Sequence, residues 1–359
     1  MTTAQIASGV SPTCVPATFA ETWKELESTH GLSASTARRA FDAVLGGAWT
    51  PSQIAGLLVG LRLVPENADV LAAAVQSMRA AMVRVEHDFG HVVDTCGTGG
   101  DGLATLNIST AAAIVVAAAG HPVAKHGNRA VSSRSGSADV LAALGVPMDL
   151  DAARSSAVLR EVGISFLLAP THHPAMRFAM PVRRELGIRT IFNCLGPMAN
   201  PASATHQLVG AFSNEIRPLI AKTLAKVGAE RAWVVCGKDG LDEVSPFVAT
   251  CVTEVSQGQI REFEVSPSDF GLAPSPPGAI AGGDGSENAK QLEAILSNVP
   301  HPATDAVLLN AAAALVIAEE IDPKVATAKA RQLIHSGAAK QKLDDWRAAA
   351  QRQRAQVSG

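Results

Sequence analysis

At 359 residues the chain has room for one large or two moderate domains, and an apolar fraction of 47% is enough for a sizeable core. A formal net charge of −3 offers no general attraction to nucleic acid or to a membrane surface. The five cysteines (Cys14, Cys96, Cys194, Cys236 and Cys251) are odd in number and lack C-x-x-C spacing, so they read as reduced cytosolic thiols and not as a disulfide framework or zinc site.

Residues 1–18 are rich in Ser, Thr, Pro and Ala, with no basic residue and no long apolar core, so they read as a disordered extension and not as a secretory leader. From Phe19 to Met82 the pattern predicts four helices. Thr50-Pro51-Ser52-Gln53 supplies an N-cap, a first-turn proline and a glutamine at the third helical position. Pro65 divides that helix from the next, expected over Glu66–Ala81. This unit carries more apolar surface than it can bury alone, so it is expected to pack on something else. The longest apolar runs, 111–119 and 311–318, fall far short of a membrane span, and a soluble, cytoplasmic protein is expected.

His91-Val92-Val93 reads as a short strand leading into Asp94-Thr95-Cys96-Gly97-Thr98-Gly99-Gly100-Asp101-Gly102. Four glycines in six positions let the backbone adopt positive φ and bring its N–H groups against a ligand. After Leu106-Asn107-Ile108-Ser109-Thr110 comes the unbroken apolar run Ala111–Ala119. Ser109 or Thr110 is expected to cap this helix, whose N-terminus carries roughly half a positive charge. That is the architecture of an anion cradle. Gly97, Gly99 and Gly102 also match the dinucleotide fingerprint, but Ala104–Asn107 separates them from the helix. No carboxylate follows before Asp139 to hold a ribose, so a nicotinamide site is not indicated. Taken alone, the loop suits a ligand-free glycine turn equally well. Cys96 reads as a small apolar filler at a strand end, because no histidine–acid pair accompanies it.

A second glycine-punctuated stretch follows, Lys125-His126-Gly127-Asn128-Arg129-Ala130-Val131-Ser132-Ser133-Arg134-Ser135-Gly136-Ser137-Ala138-Asp139, and it opens a helix expected over Ser137–Leu144. Two helix starts, two flexible loops and several fixed cations suit a ligand with more than one phosphate group. Alternation then continues, with a helix over Asp151–Glu161 and a strand at Ile164–Leu168. Strands at Leu208–Phe212 and Ala232–Cys236 flank a helix over Asn214–Val227. The loop Gly237–Pro246 contains Asp242-Glu243. As an isolated dipeptide this is solvated surface; at a strand end facing a polyphosphate cradle, its hard oxygens suit magnesium shared with substrate phosphates. Beyond Val248 the pattern predicts strands at 248–255 and 259–265, a Pro/Gly-rich connection at 274–286, and helices at 287–297, 303–319, 323–335 and 338–352. Asn310 is the polar exception on a buried helix face, and this section offers no catalytic argument.

Taken together, G-T-G-G-D-G, N-x-S-T, K-H-G-N-R-A-x-S-S, S-G-S-A-D, H-P-A-M (173–176), V-R-R-x-L-G (182–187), R-T-x-F-N-x-L-G-P (189–197) and D-G-L-D-E (239–243) resemble the anthranilate phosphoribosyltransferase family. Its fold is shared with pyrimidine nucleoside phosphorylases, and the resemblance runs from about Phe19 to near the C-terminus. Met198 stands where leucine is usual, a volume-tolerant change. The resemblance implies an α/β fold: a small helical domain, 19–82 completed by helices near 172–200, and an α/β domain over 83–359 with a central, mostly parallel sheet. It also implies a homodimer through the helical domain.

For phosphoribosyl diphosphate the resemblance points to Gly97, Gly100, Asp101, Thr105, Asn107, Ile108, Ser109, Thr110, Lys125, His126, Gly127, Asn128, Arg129, Ala130, Val131, Ser132, Ser133 and Ser137. For anthranilate it points to Gly97, His126, Asn128, His173 and Arg183. Ser109, Asp242 and Glu243 would hold magnesium, up to two ions per monomer. Taken alone, Arg183 and Arg184 read as an exposed helix end. Beside the other motifs, Arg183 offers a guanidinium for an aromatic carboxylate. The implied reaction moves a phosphoribosyl group from the diphosphate to the amine of anthranilate, on the route to tryptophan, and needs no covalent nucleophile. Two alternatives remain: a pyrimidine nucleoside phosphorylase, separable by phosphorolysis of thymidine or uridine, and a non-catalytic relative that binds nucleic acid, separable by a salt-dependent gel shift.

Overall fold

The computed structural model describes residues 15–100, 102–130 and 134–356. In chain order the helices and strands are α1 (Phe19–Thr29), α2 (Ala34–Leu45), α3 (Pro51–Leu63), α4 (Ala68–Ala80), β1 (Val93–Asp94), α5 (Ile108–Ala118), β2 (Val123–Gly127), α6 (Ser137–Ala143) and α7 (Ala152–Val162). There follow β3 (Ile164–Leu168), α8 (Ala169–His172), α9 (Met180–Leu186), α10 (Phe192–Leu195), β4 (His206–Gly210), α11 (Arg217–Lys226), β5 (Arg231–Gly237), β6 (Thr250–Ser256) and β7 (Gln259–Val265). The chain closes with α12 (Gly285–Leu296), α13 (Thr304–Glu319), α14 (Pro323–His335) and α15 (Ala338–Ala355). They divide into two compact units: the described residues through Met82 joined by His173–Ile191, and those of Val83–His172 joined by the described residues from Phe192 onward.

In the helical unit, sequence signals act where they stand. Thr18 and Glu21 form a capping box at α1, and Thr50 and Gln53 form another at α3, with Pro51 in its first turn. α4 starts two residues later than expected because the Asn67 side chain accepts from the Asp69 N–H at 2.7 Å and caps the helix there. One expectation is corrected at the amino end. Residues 1–14 of the expected disordered extension lie outside the described residues, but Val15–Thr18 are tied down. Ala17 is buried and its carbonyl accepts from Trp49 Nε1 at 3.0 Å, while the Val15 carbonyl accepts from Arg39 Nε at 2.8 Å.

The second unit is built on a seven-stranded sheet in the order β3-β2-β1-β4-β5-β6-β7. β3, β2, β1, β4 and β5 are parallel, and β6 and β7 extend the sheet as an antiparallel hairpin. The order reverses between β1 and β4, which is where an open α/β sheet leaves a crevice outside its strands' carboxyl ends. α5 and α13 are apolar around almost their whole circumference and lie inside the main core. β4 begins two residues before the expected strand because its partners set its limits: His206 pairs with Val93 on one side and Arg231 on the other. Among the described residues, no helix is long and apolar enough to cross a membrane.

Candidate active site

The loops that leave β1, β4 and β5 meet at the reversal in strand order. Gly99 and Gly100 take φ of 63° and 87°, the left-handed region that a side chain disfavours. The Thr98 N–H donates to the Gly210 carbonyl at 2.8 Å, and Thr98 Oγ1 accepts from the Phe212 N–H at 3.0 Å. These bonds pin the glycine loop to the end of β4. Gly210 also lies against the acidic doublet: a Cβ there would sit 1.7 Å from the Asp242 carbonyl oxygen. Asp242 Oδ2 in turn lies 3.4 Å from where a Gly97 Cβ would stand. Glu243 Oε1 accepts from the Ser109 N–H at 3.2 Å, in the first turn of α5. The acidic doublet, the glycine loop and a helix N-terminus therefore share one place.

The expectation that Ser109 or Thr110 caps the alanine-rich helix is corrected. α5 already begins at Ile108, Asn107 precedes it without a side-chain cap, and Thr110 is buried within the first turn. The Asn107 side chain is engaged elsewhere. Its Oδ1 accepts from Asn288 Nδ2 at 2.8 Å, and its Nδ2 donates to the Ser135 carbonyl at 3.4 Å. Asn107 thereby links the first loop to the second. Thr105 forms an isolated bridge with Ala281 just before it.

Lys125, at the centre of β2, is buried beneath the glycine loop. Its ammonium donates to the Thr95 carbonyl at 2.9 Å, and to Thr95 Oγ1 and Ser109 Oγ at 3.3 Å each. Asp94 is buried too. Burial pushes its carboxyl up to about 6, against the opposing pull of the Lys125 charge. Asp94 accepts from Asn200 Nδ2 at 2.7 Å and from the His126 N–H at 3.2 Å, so this carboxylate joins the ends of β1 and β2 to the segment around Asn200. Burial, followed by the Asp94 charge, pushes the Cys96 thiol up, which keeps it protonated and poorly nucleophilic.

In the second loop, Asp139 Oδ2 accepts from the Gly136 and Ala130 N–H groups at 2.9 Å each, and Arg129 reaches Asp139 Oδ1 at 3.4 Å. Ser137 Oγ donates to the Asn128 carbonyl at 3.4 Å. A Cβ on Gly127 would lie 2.3 Å from that hydroxyl. His126 Nδ1 donates to the Gly196 carbonyl at 3.0 Å, since a carbonyl only accepts. Asp101, Val131, Ser132 and Ser133 lie outside the described residues. His173 and Arg183 belong to the helical unit, where His173 is buried before a short 3-10 turn and Arg183 lies on α9 with its pKa lowered by burial.

Two family profiles match. One is described as the glycosyl transferase family helical bundle domain and covers residues 23–82; the other is that family's a/b domain and covers residues 89–340. The anthranilate phosphoribosyltransferase of Azorhizobium caulinodans is 49% identical over 316 residues, 87% of this chain and 91% of that protein. The chain belongs to the anthranilate phosphoribosyltransferase family. The Rhodospirillum rubrum member is 50% identical over 87% of this chain and 90% of its own. Among solved structures, the Thermus thermophilus anthranilate phosphoribosyltransferase superposes with a TM-score of 0.87 at 39% identity, covering 92% of this chain and 99% of that one. The Saccharomyces cerevisiae enzyme, in complex with PRPP and Mg, gives 0.85 at 30% identity, covering 92% and 97%.

The sequence reading gave no site role to Asp94, Asn200, Asn288 or Asn310, although Asp94 opens the glycine loop. Asn310 was visible as a polar break in an apolar run. Asn288 carried no signal, because its partner Asn107 lies 181 residues away. Asp242, Glu243 and Ser109 offer hard oxygen, which fits magnesium. Among the described residues no group of three or more His, Cys, Asp or Glu forms a protein-only cage, and magnesium ordinarily completes its shell with water and substrate phosphates.

Proposed function

We propose that this chain transfers the phosphoribosyl group of phosphoribosyl diphosphate to the amine of anthranilate, releasing pyrophosphate, with its phosphate cradle at the carboxyl ends of β1, β2 and β5. The observation that carries the site assignment is the Glu243 carboxylate at the amino end of α5, beside the glycine loop.

In this reading, backbone N–H groups around Gly97–Gly100 and the first turn of α5 face the diphosphate, as oriented dipoles do at other anion sites. Asn107, Ser109, Thr110 and Ser137 add polar side chains. Lys125 acts from beneath, holding Thr95 and Ser109 in place and lending its charge. Thr105, Ile108, His126, Gly127, Asn128, Arg129 and Ala130, with Asp101, Val131, Ser132 and Ser133, belong to the same phosphoribosyl diphosphate set. Asp242, Glu243 and Ser109 would hold magnesium, up to two ions per monomer. An ion held there would supply neutralising charge to the pyrophosphate as it leaves.

Gly97, His126, Asn128 and His173 receive anthranilate, and Arg183 takes its carboxylate in a two-pronged pair. Displacement at the anomeric carbon needs no covalent nucleophile, so catalysis rests on positioning, for which about 7–11 kcal/mol is accessible, and on electrostatic stabilisation of the leaving group. The enzyme acts in the cytoplasm as a homodimer through its helical unit. The exposed apolar side chains of Trp23, Val59 and Leu63 support that assembly.

The test is the double replacement Asp242→Asn with Glu243→Gln. It is expected to abolish magnesium-dependent turnover, followed by the loss of anthranilate fluorescence. Wild-type magnesium dependence in the double variant would overturn the metal assignment.

A further inference from the structure

We infer that Asn310 is a positioning residue for the acidic doublet, clamping the Val244 peptide so that the Glu243 carboxylate stays at the amino end of α5. Asn310 is fully buried on α13 among alanine and leucine side chains. Its Oδ1 accepts from the Val244 N–H at 2.9 Å, and its Nδ2 donates to the Val244 carbonyl at 3.0 Å. The second Nδ2 proton goes to the Ala306 carbonyl, also at 3.0 Å, one turn back on the same helix. One carboxamide thus satisfies both backbone groups of the residue that follows Glu243.

The next residue is fixed as well. The Ser245 N–H donates to Thr250 Oγ1 at 2.8 Å, and Ser245 Oγ donates to Asp239 Oδ2 at 2.7 Å. On the other side of Glu243, its Oε1 meets the Ser109 N–H. Hydrogen bonds at either end of the Glu243–Val244 peptide therefore link the middle of α13 to the first turn of α5. A buried carboxamide in an apolar helix is costly unless fully paired, and here its pairing is spent on the loop that presents the doublet. Replacing it with an apolar side chain of similar size leaves the Val244 N–H and carbonyl buried without partners, and the loop must shift to solvate them.

The inference rests on Asp242 and Glu243 being the magnesium ligands, and the experiment separates the two ideas. Four full-length proteins are compared: wild type, Asn310→Leu, Leu315→Ala on the same helix, and Asp242→Asn with Glu243→Gln. Manganese affinity is read by electron paramagnetic resonance in the presence of phosphoribosyl diphosphate, beside the magnesium concentration for half-maximal turnover. Asn310→Leu is expected to weaken both by about 10–100-fold, the usual effect of losing an outer-shell support, with kcat recovered at saturating magnesium. Leu315→Ala should lower the thermal midpoint and leave manganese affinity as in wild type. Wild-type manganese affinity in Asn310→Leu, or equal weakening in Leu315→Ala, overturns the inference. If Asn310→Leu does not accumulate as folded protein, Asn310→Ser, which is too short to reach both Val244 groups, is judged by the same readings. Unchanged manganese affinity in the double variant defeats the doublet assignment itself. A loss there alone, with Asn310→Leu at the wild-type value, defeats only the positioning role.

Discussion

A methyl group at position 210 has nowhere to go, since it would stand 1.7 Å from the Asp242 carbonyl oxygen. The obstacle is backbone, not the far end of a flexible side chain, so relief requires the loop carrying the doublet to move. Gly210→Ala is expected to cost about 1–3 kcal/mol or more by overpacking, and to raise the magnesium requirement as well. A calorimetric midpoint equal to wild type would show that the close approach is not needed. Arg183 makes the opposite kind of case, a side chain whose charge decides its effect. Burial lowers its pKa but leaves the guanidinium charged at neutral pH. A hydrogen bond to a charged group contributes about 1.5–3 kcal/mol, so Arg183→Ala should raise the KM for anthranilate by about 10–100-fold and leave that for phosphoribosyl diphosphate nearly unchanged. Equal rises in both constants would remove Arg183 from the aromatic carboxylate.

The elements carry a histidine cluster at the amino ends of the parallel strands, away from the loops described above. His206 opens β4, and its ring centroid lies 5.0 Å from that of His91, which precedes β1. His91 Nε2 meets His121 Nδ1 at 3.2 Å, and His121 Nε2 reaches Glu319 Oε1 at 2.6 Å, where Lys329 also binds. Burial is the main reason that His206 is pulled down to about 4, helped by His91, Arg231 and His121 and opposed by Glu320. Burial likewise lowers His91, helped by His121 and opposed by Glu230. A histidine that stays neutral when folded takes up its proton on unfolding, so stability falls as pH drops below the unfolded value of 6.5 and goes on falling towards about 4. For His206 that drop corresponds to about 3 kcal/mol at its limit. The thermal midpoint should therefore decline between pH 7 and pH 5, and His206→Gln should flatten the decline. A variant as acid-sensitive as wild type would place the effect in other groups.

For the whole molecule, a magnesium ion held in the proposed way, by two carboxylates, a hydroxyl and substrate oxygens, would differ from a structural metal. Its removal should stop catalysis without loosening the core, because the main cluster of buried side chains is apolar and independent of the doublet. Excess chelator is expected to abolish turnover and leave the unfolding curve unchanged; a large fall in the midpoint would mean that the ion also supports the fold. Much of this molecule is legible from its local signals. The Thr50–Gln53 capping box, the apolar α5 and α13, and the glycines at 99 and 100 each act within a few residues of themselves. Element ends were less legible, as the shifted start of β4 shows, because a strand stops where its neighbours stop.

From its sequence alone the chain determined its family and its alternation of elements, since helical periodicity and contiguous motifs are short-range properties. Only the tertiary structure decided that Lys125 lies beneath the glycine loop against Thr95, that Asn107 turns to Asn288 instead of capping α5, and that Glu243 meets Ser109 across 134 residues of chain. Those outcomes depend on burial and on which strands pair. Both follow from the packing of distant segments, and a periodicity read along the chain carries no record of them.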